Sequence, residues 1–198
     1  MKRTAEEAAL TRLSLLDAAL LAFEEKGWRG ATFEYVSERA GVTRGALNHH
    51  FRDKQALLSE ALEWGWAEYG HRLFADVDEN AALDGGDALE GLLTHFVRLL
   101  VDDARFRALA STTVLVAPQA LGRSGQNDAL DGWHERIAHI VTDADQVEGS
   151  LPAQRVASLV LVLLQGFTVT AVTRPDDLPR SDELASTVAS LVRGLLGS

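Results

Sequence analysis

Residues 5–26 contain neither glycine nor proline, and their apolar side chains recur at the spacing of one helix face. Positions i, i+4 and i+8 are apolar, which predicts an amphipathic helix rather than a strand. This stripe consists of Leu15, Leu16, Ala19, Leu20 and Phe23. The helical period returns along the rest of the chain, and no alternating run bounded by turns suggests a sheet. The sequence therefore predicts an all-α fold of about nine helices.

Glycine, proline and capping residues mark where these helices begin and end. Gly27 is expected to end the first helix, and Thr32 and Thr43 to cap short helices that reach residues 40 and 51. Gly41 would supply the turn between them, and Asp53 would cap a fourth helix from residue 54 to about residue 75. The remaining pattern predicts a linker over Asp78–Gly86, a helix over Asp87–Val101, a helix over Asp103–Val116 stopped by Pro118, a loop over Ala120–Gln126, a helix over Asp128–Asp145, a helix opened by Pro152 that ends at Thr173, and a last helix after Ser181.

Composition and motifs exclude several classes of protein. The chain has no cysteine, which excludes disulfide frameworks, cysteine-based zinc sites and thiol nucleophiles. His134 and His139 are five residues apart, so about 140° separates them on a helix and they cannot share a metal. No nucleophile–base spacing stands out, and no enzyme, metal or cofactor is expected. The N-terminus lacks the apolar region of a signal peptide, which predicts a cytoplasmic protein.

Charge is distributed unevenly along the chain. The formal net charge is −10, but residues 1–60 hold nine basic and nine acidic residues. The whole excess of negative charge therefore lies in residues 61–198. Between Trp28 and Lys54, five basic residues outnumber three acidic ones. This asymmetry keeps nucleic acid as a possible partner of the N-terminal part, despite the acidic total.

The segment of residues 32–51 meets the requirements of a helix-turn-helix. Gly41 lies between two short helices, and the small Ser37 and Ala40 lie where these helices would cross. The second helix has apolar residues on one face, Val42, Leu47 and Phe51, and short polar or basic residues on the other, Thr43, Arg44, Asn48 and His49. Such a helix reads base edges with its N-terminal residues. An ordinary helical hairpin with a solvated face is the alternative that spacing leaves open.

Three short motifs follow one another between residues 15 and 58. They are F-x-x-x-G at Phe23, the stretch AGVTRGAL at residues 40–47, and H-F-x-x-K at His50 with Leu57 and Leu58 behind it. In this order and spacing they resemble the DNA-binding domain of the TetR family of transcriptional regulators, and the AcrR-like branch is nearest. The resemblance implies that residues 1–53 form a helix-turn-helix DNA-binding domain. It also implies that residues 54–198 form a helical ligand-binding and dimerisation domain.

The resemblance implies DNA contacts for seven residues. Arg44 is the best candidate for a bidentate guanine contact, Gly45 would let the backbone approach the groove, and Lys54 would bind a phosphate. The predicted set is Thr32, Thr43, Arg44, Gly45, Asn48, His49 and Lys54. The family usually has tyrosine where this chain has Asn48, and asparagine would pair with an adenine instead or contribute little. His50 is implied to pack inside the domain.

A ligand cavity and a dimer are also implied by the resemblance. Aromatic residues on several helices suit a planar apolar ligand, and the predicted lining is Leu62, Trp66, Tyr69, Phe96, Trp133, Ile137 and Gln165. Residues 156–173 are eighteen uncharged residues, long enough to span a membrane, but several are polar and no second span exists. Pairing of the last two helices with their copies is favoured, through Val156, Val160, Leu163, Phe167, Leu184, Val188, Leu191 and Leu195.

The sequence thus predicts a cytoplasmic, homodimeric transcriptional regulator. We expect a repressor that a small apolar or aromatic effector releases from a pseudo-palindromic DNA operator. One alternative is a small-molecule-binding helical protein whose helix-turn-helix no longer reads DNA, which the asparagine at position 48 keeps open. A second alternative is a membrane-attached helical protein.

Overall fold

A computed structural model describes residues 5–79, 83–122, 128–142 and 151–197 of the chain. Within these ranges every regular element is helical and no strand occurs, so the predicted all-α class is confirmed. The α-helices are α1 (Ala5–Gly30), α2 (Phe33–Arg39), α3 (Arg44–His50), α4 (Lys54–Glu79), α5 (Gly85–Asp102), α6 (Ala104–Ser111), α7 (Ala117–Leu121), α8 (Asp128–Thr142), α9 (Ala153–Thr173) and α10 (Leu184–Leu196). A π-helical turn, Thr112–Val116, joins α6 to α7, and a 3₁₀ turn, Pro175–Asp177, follows α9.

Local signals act at the breaks and starts of the first four helices where the sequence predicts them. Gly27 breaks α1 with a φ of 65° and a ψ of −177°, a backbone conformation that favours glycine. The hydroxyl oxygens of Thr32 and Thr43 accept hydrogen bonds of 3.2 Å from the backbone amides of residues 35 and 46, as N-caps do. Gly41 supplies the turn with a φ of 67°. Asp53 caps α4 by accepting a 2.7 Å bond from the amide of residue 56.

The predicted linker over residues 78–86 is wrong at both ends. Helix α4 continues to Glu79, and α5 already begins at Gly85. The Asp84 carboxylate accepts a 2.8 Å hydrogen bond from the Asp87 amide and caps α5, which begins two residues earlier than expected. A good N-cap outweighs the low helix propensity of the two glycines in the first turn, where few intrahelical bonds are at stake. Residues 80–82 lie outside the described residues.

Pro118 does not stop a helix, contrary to the expectation. The chain leaves α6 at Ser111, passes through the π-helical turn and re-enters an α-helix at Ala117. Pro118 then lies in the first turn of α7, where its missing N–H is not needed. The predicted loop over residues 120–126 begins later, since Ala120 is still helical, and residues 123–126 lie outside the described ones. Pro152 is the N-cap of α9 rather than its first residue, and residues 143–145 of the helix predicted over residues 128–145 are not described.

The described residues form two compact units, each with its own apolar core. The first unit holds the residues up to Glu68 together with those from Arg105 to Gly122, and the second holds the rest. The first unit therefore extends beyond the predicted domain of residues 1–53. Its fully buried side chains include Leu15, Leu20, Phe23, Val36, Leu47, Phe51, Leu57, Leu58, Phe106 and Leu109.

In the second unit, α5 packs against α8, α9 and α10. The apolar stripe that predicted α5 is buried along its whole length, and it lies opposite buried aliphatic side chains of the three neighbouring helices. The buried residues of this packing include Leu89, Leu92, Leu93, Phe96, Leu100, Ile137, Val141, Val156, Val160, Val188 and Val192.

Candidate DNA interface

Helices α2 and α3 form a helix-turn-helix around a tight turn. The amide of Gly41 donates to the Glu38 carbonyl at 3.0 Å, and the amide of Val42 donates to the Ser37 carbonyl at 2.9 Å. Ser37 is 4% exposed, and a small residue suits a buried position next to such a turn. The turn therefore holds the start of α3 in a fixed position relative to α2.

Helix α3 is anchored by one face and presents the other to solvent. Leu47 and Phe51 are at most 1% exposed and fix the helix to the core of the first unit. The residues on the opposite side, Thr43, Arg44, Gly45, Asn48 and His49, are all exposed. Five of the seven residues predicted to contact DNA thus lie together on one accessible strip, and Thr32 is also exposed.

Arg44 and Glu34 form an ion pair that joins the first turns of α2 and α3. The Nη1 atom of Arg44 contacts the Oε1 atom of Glu34. The two side chains remain 61% and 58% exposed, so the pair lies on the surface and not in the core. The sequence argument did not include Glu34, although its place in the first turn of α2 pointed to this surface.

Nothing in the chain itself requires glycine at position 45. A Cβ built there would meet only the Thr43 hydroxyl oxygen, at 3.8 Å, and residue 45 lies inside α3 with a helical backbone. Gly41 differs, because its positive φ disfavours any L-residue with a side chain. The bare backbone at Gly45 leaves the outer surface of α3 open to a close approach by another molecule.

Lys54 is engaged inside the first unit. Its Nζ donates to the Trp28 carbonyl oxygen and lies 4.3 Å from the centre of the Trp28 ring. Burial lowers the pKa of the Lys54 amine, because the charged form loses part of its hydration. The predicted phosphate ligand therefore ties the start of α4 to the end of α1, and only its remaining N–H donors are available to another group.

His50 is half-buried, and its ring centre lies 6.3 Å from that of Phe51. This position agrees with packing inside the domain.

A polar cluster that the sequence argument missed joins α1 to α2. The Glu25 carboxylate accepts hydrogen bonds from the Tyr35 hydroxyl at 2.7 Å and from Arg39 Nη1 at 2.8 Å, and it contacts Lys26 Nζ at 2.8 Å. The Lys26 ammonium, followed by the Tyr35 hydroxyl, holds the pKa of Glu25 at about 2. Tyr35 and Arg39 are four residues apart on α2, a spacing that could have indicated a shared partner.

A second polar junction joins α6 to helices α1 and α4 within the first unit. Arg105 contacts Asp17 at 2.6 Å and Glu68 at 3.3 Å, and its guanidinium lies 4.2 Å from the centre of the Trp64 ring. Nothing in the sequence pattern pointed to this junction, because its members lie far apart along the chain.

Comparison with known proteins agrees with this geometry. The family described as bacterial regulatory proteins, tetR family, matches residues 15–61. The HTH-type transcriptional regulator BetI of Serratia proteamaculans (strain 568) is 38% identical over 162 residues, which cover 76% of this chain and 77% of BetI. The chain belongs to the TetR family. Its predicted place near AcrR is supported by the regulator AcrR of Shigella flexneri, which is 26% identical over 172 residues, 84% of this chain and 78% of AcrR.

The whole fold of the regulator also has a solved counterpart. The crystal structure of FadR from Bacillus subtilis in complex with stearoyl-CoA matches with a TM-score of 0.74 and 20% identity, over 93% of this chain and 97% of that one. The sequence relatives are transcriptional regulators, so the TetR-family regulator described here belongs to that class and not to a family of enzymes.

The seven predicted ligand-lining residues of the regulator are divided between its two units. Leu62 and Trp66 belong to the first unit, and the other five belong to the second. Six of the seven are buried, but Gln165 is exposed on α9 and so lies apart from the buried aromatic residues. The reason is that position 165 follows the buried Leu164 and falls on the outer side of the helix.

Buried aromatic rings of the second unit form an edge-to-face cluster around Trp133. Its ring centre lies 5.6 Å from that of Phe74 and 6.2 Å from that of Phe96, with interplanar angles of 88° and 81°. Tyr69 donates its hydroxyl to the Asp103 carboxylate at 2.8 Å. Phe74 was not among the predicted lining residues.

The predicted dimer residues of the regulator also fall into two groups. Val156, Val160, Leu184 and Val188 are at most 2% exposed within a single chain, so they have no surface left for a partner. Helical spacing cannot distinguish the face that meets the chain's own core from the face that meets a second copy. The other four predicted residues are half-buried: Leu163, Phe167, Leu191 and Leu195. On α9, Leu159 and Val162 are 36% and 63% exposed and were not among the predicted residues.

Helix α9 is long and apolar enough to span a membrane, with 21 residues and a mean hydropathy of 2.0. A buried core helix of a soluble protein meets the same test, and α9 supplies several fully buried residues to the core. Among the described residues, no group of three or more histidine, aspartate or glutamate side chains could hold a metal ion. His134 contacts the Ser158 hydroxyl at 3.1 Å.

Proposed function

We propose that the regulator is a cytoplasmic, homodimeric repressor that a small apolar or aromatic effector releases from its DNA operator. The observation that carries this proposal is the exposed polar strip of α3 over its buried anchors, Leu47 and Phe51. A helix held in this way can enter the major groove without losing its packing. In this proposal residues 1–53 bind DNA, and residues 54–198 bind the effector and dimerise.

Each residue of the strip has a role suited to its chemistry. Arg44 would donate to O6 and N7 of a guanine, and Asn48 would pair with an adenine. Thr32, Thr43, His49 and Lys54 would hold phosphates or the edges of the groove. Gly45 would let the backbone of α3 approach the DNA, since no side chain stands between them.

The aromatic cluster of the second unit supports an apolar effector. The buried rings of Phe74, Phe96 and Trp133 form an apolar edge-to-face cluster, the kind of surrounding in which a flat apolar molecule makes favourable contacts. Of the other predicted lining residues, Tyr69 and Ile137 are buried in the same unit as this cluster, whereas Leu62 and Trp66 belong to the first unit and Gln165 is exposed. FadR, with the same fold, binds stearoyl-CoA, so an acyl-CoA is the first alternative effector class.

A dimer would place two copies of α3 about one DNA turn apart and require a pseudo-palindromic operator. We place the interface on the outer side of α9, at Leu159, Val162, Leu163 and Phe167, with Leu191 and Leu195 of α10. Exposed aliphatic residues along one helix side are a typical subunit contact surface. The same apolar side explains the membrane-like hydropathy of α9 without a membrane.

Selection of bound duplexes from a random pool tests the DNA-reading function. We expect the wild-type protein to enrich a pseudo-palindrome, and R44A to lose the enrichment because the guanine contact is gone. Replacing the exposed Arg98 of α5 by alanine removes the same charge from the second unit and should leave the enrichment intact. Absence of any enriched sequence at low salt would favour the alternative of a helical protein that binds a small molecule but does not read DNA.

A titration with the selected duplex tests release by an effector. Naphthalene-sized aromatic compounds and stearoyl-CoA are suitable probes. A change in tryptophan fluorescence that W133F abolishes reports their binding at Trp133, since the chain has three other tryptophans. An effector must weaken DNA binding by the same factor by which DNA weakens effector binding. Independent binding of the two would contradict release by that compound.

A further inference from the structure

The ion pair between Glu34 and Arg44 places a carboxylate beside Arg44, the residue that we expect to contact a guanine. Glu34 lies in the first turn of α2, and Arg44 is the first residue of α3. Both side chains are more than half exposed, so the contact can open without disturbing the core. Exposed ion pairs contribute little to folding stability, and this pair is not needed to hold α3, which Leu47 anchors.

A free arginine at this place would bind phosphates indiscriminately. Each phosphate contact adds affinity that is independent of sequence, whereas a bidentate contact to guanine depends on sequence. Glu34 offers the guanidinium of Arg44 two acceptor oxygens, as a guanine edge does. A phosphate also presents two oxygens to an arginine, so the difference lies in the cost of opening the pair, which leaves the negative Glu34 unpaired beside DNA. A bidentate guanine contact, made together with the other base contacts of the operator, offsets this cost, whereas one phosphate contact on non-operator DNA does not.

We propose that Glu34 is a specificity-determining residue. It holds Arg44 away from phosphates on non-operator DNA, and it yields Arg44 only to a guanine in the operator. This inference rests on the proposed DNA-reading function. Glu34 acts through Arg44 and is a positioning residue, so its removal raises non-operator affinity more than operator affinity.

The test measures binding to two probes over a series of salt concentrations. One probe is the duplex selected from the random pool by the wild-type protein, and the other is a scrambled duplex of the same composition. The variants are E34Q, R44A, the double variant E34Q/R44A, and E38Q as the matched control. Glu38 lies one turn further along α2 and carries the same charge, so E38Q reports the effect of charge removal alone.

With E34Q, the slope of log K against log salt on the scrambled duplex should become steeper by about 0.9, the value for one additional phosphate contact. The ratio of operator to scrambled affinity should fall several-fold. In the R44A background the same substitution should not steepen the slope, because no guanidinium remains to reach a phosphate. E38Q should give the wild-type slope and ratio.

The inference is overturned if E34Q keeps the wild-type slope and ratio, if E38Q changes them equally, or if the steepening persists without Arg44. E34D is the second variant should E34Q melt at a lower temperature. It keeps the charge but shortens the reach, and it should change the ratio in the same direction by less. A wild-type protein that binds neither duplex contradicts the proposed function itself, whereas wild-type binding with an unchanged E34Q contradicts this inference alone.

Discussion

Gly41 and Gly45 are four residues apart in the helix-turn-helix, but the fold of the chain requires glycine only at position 41. Gly41 has open space around it and a φ of 67°, so its constraint is the backbone conformation. Gly45 has an ordinary helical backbone and nothing closer than 3.8 Å to a built Cβ, so its own fold tolerates a side chain. A substitution at each position therefore separates folding from DNA contact.

We predict that G41A lowers the free energy of unfolding by about 1–2 kcal/mol, the cost of a left-handed L-residue. G45A should raise it by up to about 1 kcal/mol, because alanine favours the helix. The same G45A should weaken binding to the selected duplex, since a methyl group would stand between α3 and the groove. Urea denaturation and a DNA titration measure these effects. Equal DNA affinity of G45A and wild type would contradict the close approach of α3.

At the scale of elements, α4 packs on α6 through a contact that has no room for a methyl group. A Cβ at Gly65 would lie 2.7 Å from Cδ1 of Leu109, which is fully buried and cannot move into solvent. We predict that G65A destabilises the protein by about 1–3 kcal/mol through overpacking. Gly70 on the same helix has nothing within 4 Å, so G70A is the matched control and should stabilise by about 0.5–1 kcal/mol. Thermal denaturation compares them, and a stabilised G65A would contradict the packing.

The Glu25 cluster between α1 and α2 predicts a dependence of stability on pH. The pKa of Glu25 is about 2 in the folded protein and 4.5 ordinarily, so the ionised form is favoured by folding. Its contribution is fully present above about pH 4.5 and is lost as the pH falls towards 2. The difference in unfolding free energy between wild type and E25Q should shrink over this range. E38Q serves as the charge control. A difference that does not change with pH would contradict the cluster.

The bounds of a helix were predictable where residues within one turn determine them. They were less predictable where contacts with other parts of the fold determine them. Thr32, Gly41 and Thr43 act on residues within one helical turn, so the boundaries of α2 and α3 follow from the sequence. Proline and glycine are tolerated at several positions near a helix end, so Pro118 and Gly85 did not by themselves fix a boundary. The neighbouring caps and the π-helical turn decide where α5 and α7 begin. The polar contacts of Glu25 and Arg105 depend on tertiary folding and were missed for that reason.

At the scale of the whole molecule, the structure changes the set of residues that are accessible to a second chain. An apolar stripe predicts burial but not what covers it, so Val160 and Val188 were predicted at an interface although the chain's own core covers them. The side of α9 that remains exposed can be identified only when the structure shows which side faces the chain's own core.

We predict that V162E converts the proposed dimer into monomers, because a carboxylate at the centre of the proposed apolar interface would lose its hydration without gaining a partner. Val162 is 63% exposed, so the substitution should leave the fold of the single chain intact. Val101 on α5 is 51% exposed and gives V101E as the control. Sedimentation equilibrium and circular dichroism measure mass and folding. A V162E variant that is folded and still dimeric would show that the interface lies on another surface.

The exposed aliphatic side of α9 has a consequence for the stability of the native state. If a second copy covers Leu159 and Val162, association and folding are linked by mass action, and the melting temperature rises with the number of chains per volume. Dilution then weakens the fold and operator binding together. A cell that makes few copies would lose repression both through empty operators and through faster proteolysis of the unpaired chain.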